Sequence, residues 1–178
     1  MFRITVVALT VAFVALLPAS AAAAETTTCT GVMSAEVPGE SLTIEGDVVV
    51  PAGASCTLLN VTINGDLRVG AGASATFGIS GSSFPFGSNT VTGDVIAIGA
   101  TELSLAFTHV GGSVIAVNGG DAGLFRSSVT ENLTFVGNDS ISLFSVGVRG
   151  LATCHNNGTV FVRFFGADHW SGQCVPAE

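Results

Sequence analysis

One short unit returns along this chain at a fixed interval, and the interval leaves few folds open. Its starts are Gly46, Gly65, Gly93, Gly112, Glu131 and Gly150. The steps from each start to the next are 19, 28, 19, 19 and 19, so the exception is one period plus an insertion of nine. Two residues before each start stand Ile44, Ile63, Val91, Val110, Val129 and Val148. Two after stand Val48, Leu67, Val95, Val114, Leu133 and Ala152. Twelve after stand Leu58, Phe77, Leu105, Leu124 and Leu143. All 17 positions are apolar in a chain that is 48% hydrophobic. Chance agreement is on the order of one in 10^5.

Around each start the pattern is that of a strand. Ile44-Glu45-Gly46-Asp47-Val48 alternates apolar and polar with period two. No later stretch carries a 3.6-residue apolar stripe. A leucine-rich repeat needs an Asn/Cys ladder and a helical half, and a propeller blade needs about 40 residues. A sandwich does not keep a column apolar through six repeats. The remaining architecture is all-β: a single-stranded parallel β-solenoid of about six 19-residue coils. Equivalent side chains then stack about 4.8 Å apart, and neighbouring coils together build a core that no coil builds alone. Residues 46–152 hold the coils, with the insertion near 78–90.

Raw strand edges at the ends of a solenoid invite polymerisation and require caps. Residues 25–45 are expected to supply the N-terminal cap and first strand. Residues 153–178, rich in Phe161, Phe164, Phe165 and Trp170, are expected to break the period and form the other cap. Cys29, Cys56, Cys154 and Cys174 allow three pairings. Two cysteines lie near each end, so Cys29–Cys56 and Cys154–Cys174 are expected. Zinc held by Cys154, His155, His169 and Cys174 is the alternative, though its spacing matches no compact zinc motif.

Residues 1–24 read as a secretory signal peptide. Arg3 precedes the uncharged run from Ile4 to Leu17, Pro18 breaks it, and Ala22-Ala23-Ala24 offers small residues before Glu25. An uncleaved anchor is the competing reading, since the run to Ala24 approaches the length of a membrane span. Cleavage leaves a secreted, extracellular domain of residues 25–178 with no further membrane span, in a compartment where disulfides persist. Five basic residues stand against 13 acidic ones, with no lysine, for a net charge of −8. That balance argues against a nucleic-acid partner.

The segments CTGVMSAEVPGESLTIEGDVVVPAGASCTLLNVTINGDLRVGAGAS and CHNNGTVFVRFFGADHWSGQC resemble the ends of short secreted β-helix proteins of actinobacteria. Those carry V-x-G-N-V-x-V units, an early cysteine pair and a terminal G-Q-C. The resemblance implies a right-handed β-helix with terminal disulfides and implies no activity. This chain departs from the pattern with aspartate at Asp47, Asp66 and Asp94, and with its insertion.

Three features carry candidate chemistry. The first is the column Asp47, Asp66, Asp94, outward on successive coils. Carboxylates about 5 Å apart suit a retaining glycosidase, and stacked like charges would raise one pKa or recruit a cation such as calcium; otherwise no cofactor is expected. The plainer reading is that each aspartate follows a turn glycine and satisfies backbone N–H groups nearby, with Arg68 neutralising the column. The second is the insertion, with Phe84-Pro85-Phe86 at its centre. An extra loop on a regular stack is where function tends to sit, so Phe84 and Phe86 are the expected ligand-binding residues for a glycan or a surface protein. Alternatively they fold back over apolar surface. The third is the outward column Thr43, Thr62, Thr90, which suits ice binding but continues as His109, Ser128 and Gly147. Gly119-Gly120-Asp121 matches a fragment of a calcium nonapeptide, once only. Asn60, Asn132, Asn138 and Asn157 stand in glycosylation sequons. No nucleophile–base pair is placed by spacing. The function expected is that of a non-enzymatic extracellular or cell-envelope interaction module. An extracellular polysaccharide-degrading enzyme using the aspartate column is the alternative.

Overall fold

The computed structural model describes residues 25–35, 40–78 and 88–175. The leader and the insertion residues Phe84 and Phe86 lie outside the described residues. The side chains of Phe164 and Phe165 do so too. Every described element is a strand, and every strand pairing is parallel. The chain is a parallel β-solenoid of about seven turns with three faces per turn.

The first face stacks Thr26–Thr28, Asp47–Val50, Leu67–Val69, Val95–Ile98, Val114–Val117 and Leu133–Val136 in that order. The second stacks Val32–Ser34, Ser55–Leu59, Ser74–Phe77, Glu102–Ala106 and Asp121–Phe125. The third stacks Leu42–Glu45, Val61–Asn64, Asn89–Val91, Thr108–Val110 and Ser128–Val129. The long strands Ser140–His155 and Thr159–Gly172 run round all three faces and continue each stack.

Register follows the repeat. Val95 faces Val114 and Leu133 faces Ala152, each pair one period apart. Leu67 faces Val95, its equivalent beyond the insertion. The register is therefore the same on both sides of the insertion. All 17 positions of the three apolar columns are buried. Phe77, Leu58, Leu105, Leu124 and Leu143 are among the largest fully buried side chains. Burying each such side chain contributes about 1.5–3 kcal/mol.

At both ends strands continue the stack. The C-terminal segment keeps the 19-residue spacing as far as Val148 and Ala167 and then leaves it: from Leu151 and His169 onward the partners stand 18 residues apart, across a register shift. Thr26–Thr28 and Val32–Ser34 likewise pair as an outermost coil. The terminal segments are coils, which is why the turns number about seven rather than six. The cysteines pair as Cys29–Cys56 and Cys154–Cys174, with Cα separations of 5.6 and 5.0 Å. Cys154 and Cys174 are thus bonded to each other and hold no zinc. Each bridge ties an end coil to its neighbour. Among the described residues no helix is long and apolar enough to cross a membrane.

Candidate functional site

The coil turns three corners per lap, and each corner spends its polar side chains on the coil beside it. Between the third and first faces, Asp47 Oδ1 accepts the Asp66 N–H at 2.9 Å. Asp66 Oδ1 accepts the Asp94 N–H at 2.9 Å, and Asp94 Oδ1 accepts the Ser113 N–H at 2.7 Å. Ser113 Oγ and Asn132 Oδ1 continue the series to Asn132 and Leu151. The glycine before each aspartate makes room for this ladder. A Cβ at Gly93 or Gly112 would sit 2.2 Å from the aspartate Oδ1 of the coil below. Ser113 is shorter, and the next coil carries Glu131 in place of the glycine; the Ser113 hydroxyl donates to Glu131 Oε2 at 3.0 Å.

This ladder gives Asp47, Asp66 and Asp94 a structural task. Arg68 takes the outer oxygen of Asp66 at 2.7 Å and approaches Asp47 at 3.9 Å. Among the described residues no group of three His, Cys, Asp or Glu side chains gathers as a metal site.

Between the first and second faces the ladder is buried. Asn138 Oδ1 accepts the Gly119 N–H, and Asn157 Oδ1 accepts the Asn138 N–H at 3.0 Å. Gln173 Oε1 accepts the Asn157 N–H at 2.8 Å. The carboxamide nitrogens donate to Ala116 and Phe135 carbonyls. The terminal Gly-Gln-Cys run therefore closes the stack: the glutamine ends the amide ladder and the cysteine locks it. Asn138 and Asn157 stand in sequons yet are 3% and 6% exposed, which keeps them from a glycosylating enzyme in the folded chain. Between the second and third faces, Asn89, Thr108 and Ser127 form a third buried set. No buried side-chain nitrogen or oxygen among the described residues lacks a partner.

Outside these ladders two surface features stand apart. At the corner between the second and third faces, Phe107, Phe125 and Phe144 cluster across successive coils. The Phe125 ring stacks on Phe144 at 5.2 Å and meets Phe107 edge-on at 5.4 Å. The Arg126 guanidinium lies 5.5 Å from the Phe125 ring centre and 5.8 Å from that of Phe107. Phe107 and Arg126 take positive φ, 52° and 46°, a conformation uncommon in bulky residues. Phe125 is 39% exposed. The residues flanking the insertion lie at this same corner, Gly78 beside Ala106 and Asn89 opposite Thr108.

The second feature is a shallow groove on the third face, enclosing about 330 Å³, between His109, Ser128, Thr130, Arg149 and Asp168. His109 Nδ1 and Ser128 Oγ are 2.9 Å apart. The column of Thr43, Thr62 and Thr90 ends here, where threonine gives way to histidine, serine and then glycine. The pairing of His109 with Ser128 is set by the coil, which brings residues one repeat apart side by side. No protein-family model, curated protein or solved structure matches this chain significantly.

Proposed function

We propose that this chain, carried out of the cytoplasm by its leader, is an extracellular interaction module and not an enzyme. The observation that supports the reading is the aromatic and cationic corner of Phe107, Phe125, Phe144 and Arg126. Elsewhere the polar side chains at the corners hold neighbouring coils together, and the backbone donors are spent between coils. At this corner an aromatic ring stands open to solvent beside a guanidinium, on an acidic molecule with few cations. Exposed aromatic area on a rigid scaffold favours binding. Two buried disulfides suit an oxidising compartment. A glycan of the cell envelope, or a protein presented there, is the partner this surface suits.

Retention of residues 25–178 on cell-wall material tests the reading. Phe125→Ser is expected to reduce retention at least tenfold, with the thermal midpoint within a few degrees of wild type because the ring is partly exposed. Unchanged retention in that variant contradicts the proposal.

A further inference from the structure

We infer that the groove on the third face is a binding site for one unit of a neutral saccharide. The inference rests on the interaction-module reading and gives it a ligand class and a second location.

The outward column of the third face runs through Thr90, His109, Ser128, Gly147 and Gly166 in register. From His109 the side chains shorten to Ser128 and then vanish at Gly147 and Gly166, and the groove lies along this stretch. Its volume, about 330 Å³, falls at the small end of ligand pockets. From His109 to Gly166 it crosses three coil steps, about 14 Å along the rod.

The two glycines are not explained by the stack. A Cβ at Gly65, Gly93, Gly112 or Gly150 would strike the neighbouring coil. A Cβ at Gly147 or Gly166 would meet nothing within 4 Å, and neither residue takes positive φ. Glycine in a strand interior weakens the strand and leaves room for another group to approach. Here two stand side by side and leave a flat backbone floor.

The rim supplies the chemistry. Arg149 and Asp168 line the same groove and form no ion pair among the described residues. Both are exposed and carry opposite charge. His109 and Ser128 add a hydrogen-bonded pair at one end. A guanidinium offers only donors and a carboxylate only acceptors, whereas a sugar hydroxyl serves both. The apolar face of a sugar ring suits the glycine floor. An anionic ligand would meet Asp168 and the charge of the rod, and a cationic one would meet Arg149. A neutral polyol meets neither penalty.

The same geometry argues for binding rather than acyl transfer by Ser128. The Gly147 and Thr130 N–H groups donate to Ser127 and Val110 carbonyls at 3.1 and 2.9 Å. They are spent in the stack and leave no backbone oxyanion hole beside the serine.

Calorimetric titration of residues 25–178 with neutral oligosaccharides tests the site. The panel comprises glucan, mannan, galactan and N-acetylglucosamine oligomers, with polygalacturonate and chitosan oligomers as charged arms. At least one neutral member is expected to bind. Gly147→Leu, which fills the groove, and Arg149→Ala should each weaken that binding at least tenfold with an unchanged thermal midpoint. Phe125→Ser should leave it intact. Failure of every neutral member, tighter binding of a charged one, or full affinity in Gly147→Leu overturns the inference. Cell-wall retention that needs Phe125 but survives Gly147→Leu overturns the groove alone. Absence of retention by the wild-type chain overturns the module reading instead.

Discussion

Each aspartate of the Gly-Asp unit acts one coil away from its own position. Its Oδ1 holds the N–H of its successor, and the successor's coil has glycine where a Cβ would strike that oxygen. The two residues are a single device split between coils. Asp66→Asn keeps an acceptor oxygen and loses only an exposed pairing with Arg68, so it should cost under about 1 kcal/mol. Asp66→Ala leaves the Asp94 N–H without its acceptor and should cost about 1–2 kcal/mol. Urea midpoints of the two variants check this, and equal losses would contradict the ladder. The column itself was legible, because Asp47, Asp66 and Asp94 follow glycines at the repeat spacing. Its task was not. A partner a whole repeat distant, or a repeat plus the insertion, becomes visible only once the coil is closed, and local reading looked for it nearby. The same holds for His109 and Ser128, whose contact is a matter of coil spacing and not of any motif.

At the scale of the element, the apolar columns specify the strands and the corners specify where they stop. Left-handed residues recur at matching places: Asn60, Phe107, Arg126 and Ser145 at one corner, Gly99, Asn118, Gly137 and Asn156 at another. The Asn138–Asn157–Gln173 ladder, buried at its two asparagines, is the strongest corner, because one carboxamide serves several backbone groups. Asn157→Ala should cost at least about 3 kcal/mol, since it strands the Asn138 N–H and the Phe135 carbonyl in the interior. Asn132→Ala, at an exposed corner with one such bond, should cost about 1 kcal/mol. Denaturant unfolding separates the two, and similar losses would contradict the assignment. The strands of six repeats were legible from 17 apolar positions. The seventh turn was hidden because its start marker is lost. Leu151 stands where aspartate or asparagine would demand a glycine above it, and its partner is His169. Val162 and Ala167 keep the apolar columns, but Phe161 and Arg163 on either side of Val162 obscured the alternation.

At the scale of the whole molecule, the chain is a rod whose end coils are held by disulfides and whose proposed binding features lie on its sides. The corner of Phe107, Phe125 and Phe144 and the groove of Arg149 and Asp168 were not legible, because each is assembled from residues a coil apart. Rigidity is what lets such sites persist without a deep cavity, and it follows from the parallel stack. The stack makes a quantitative demand: each full repeat of chain advances the rod by only about 4.8 Å. Spin labels at exposed positions of the third face test this directly. With one label at Thr43 and the second at Ser128, Gly147 or Gly166, pulsed electron resonance should give distances of about 19, 24 and 29 Å, rising evenly with each coil. Distances that fail to rise in equal steps, or that fold back as in a sandwich, would contradict the solenoid.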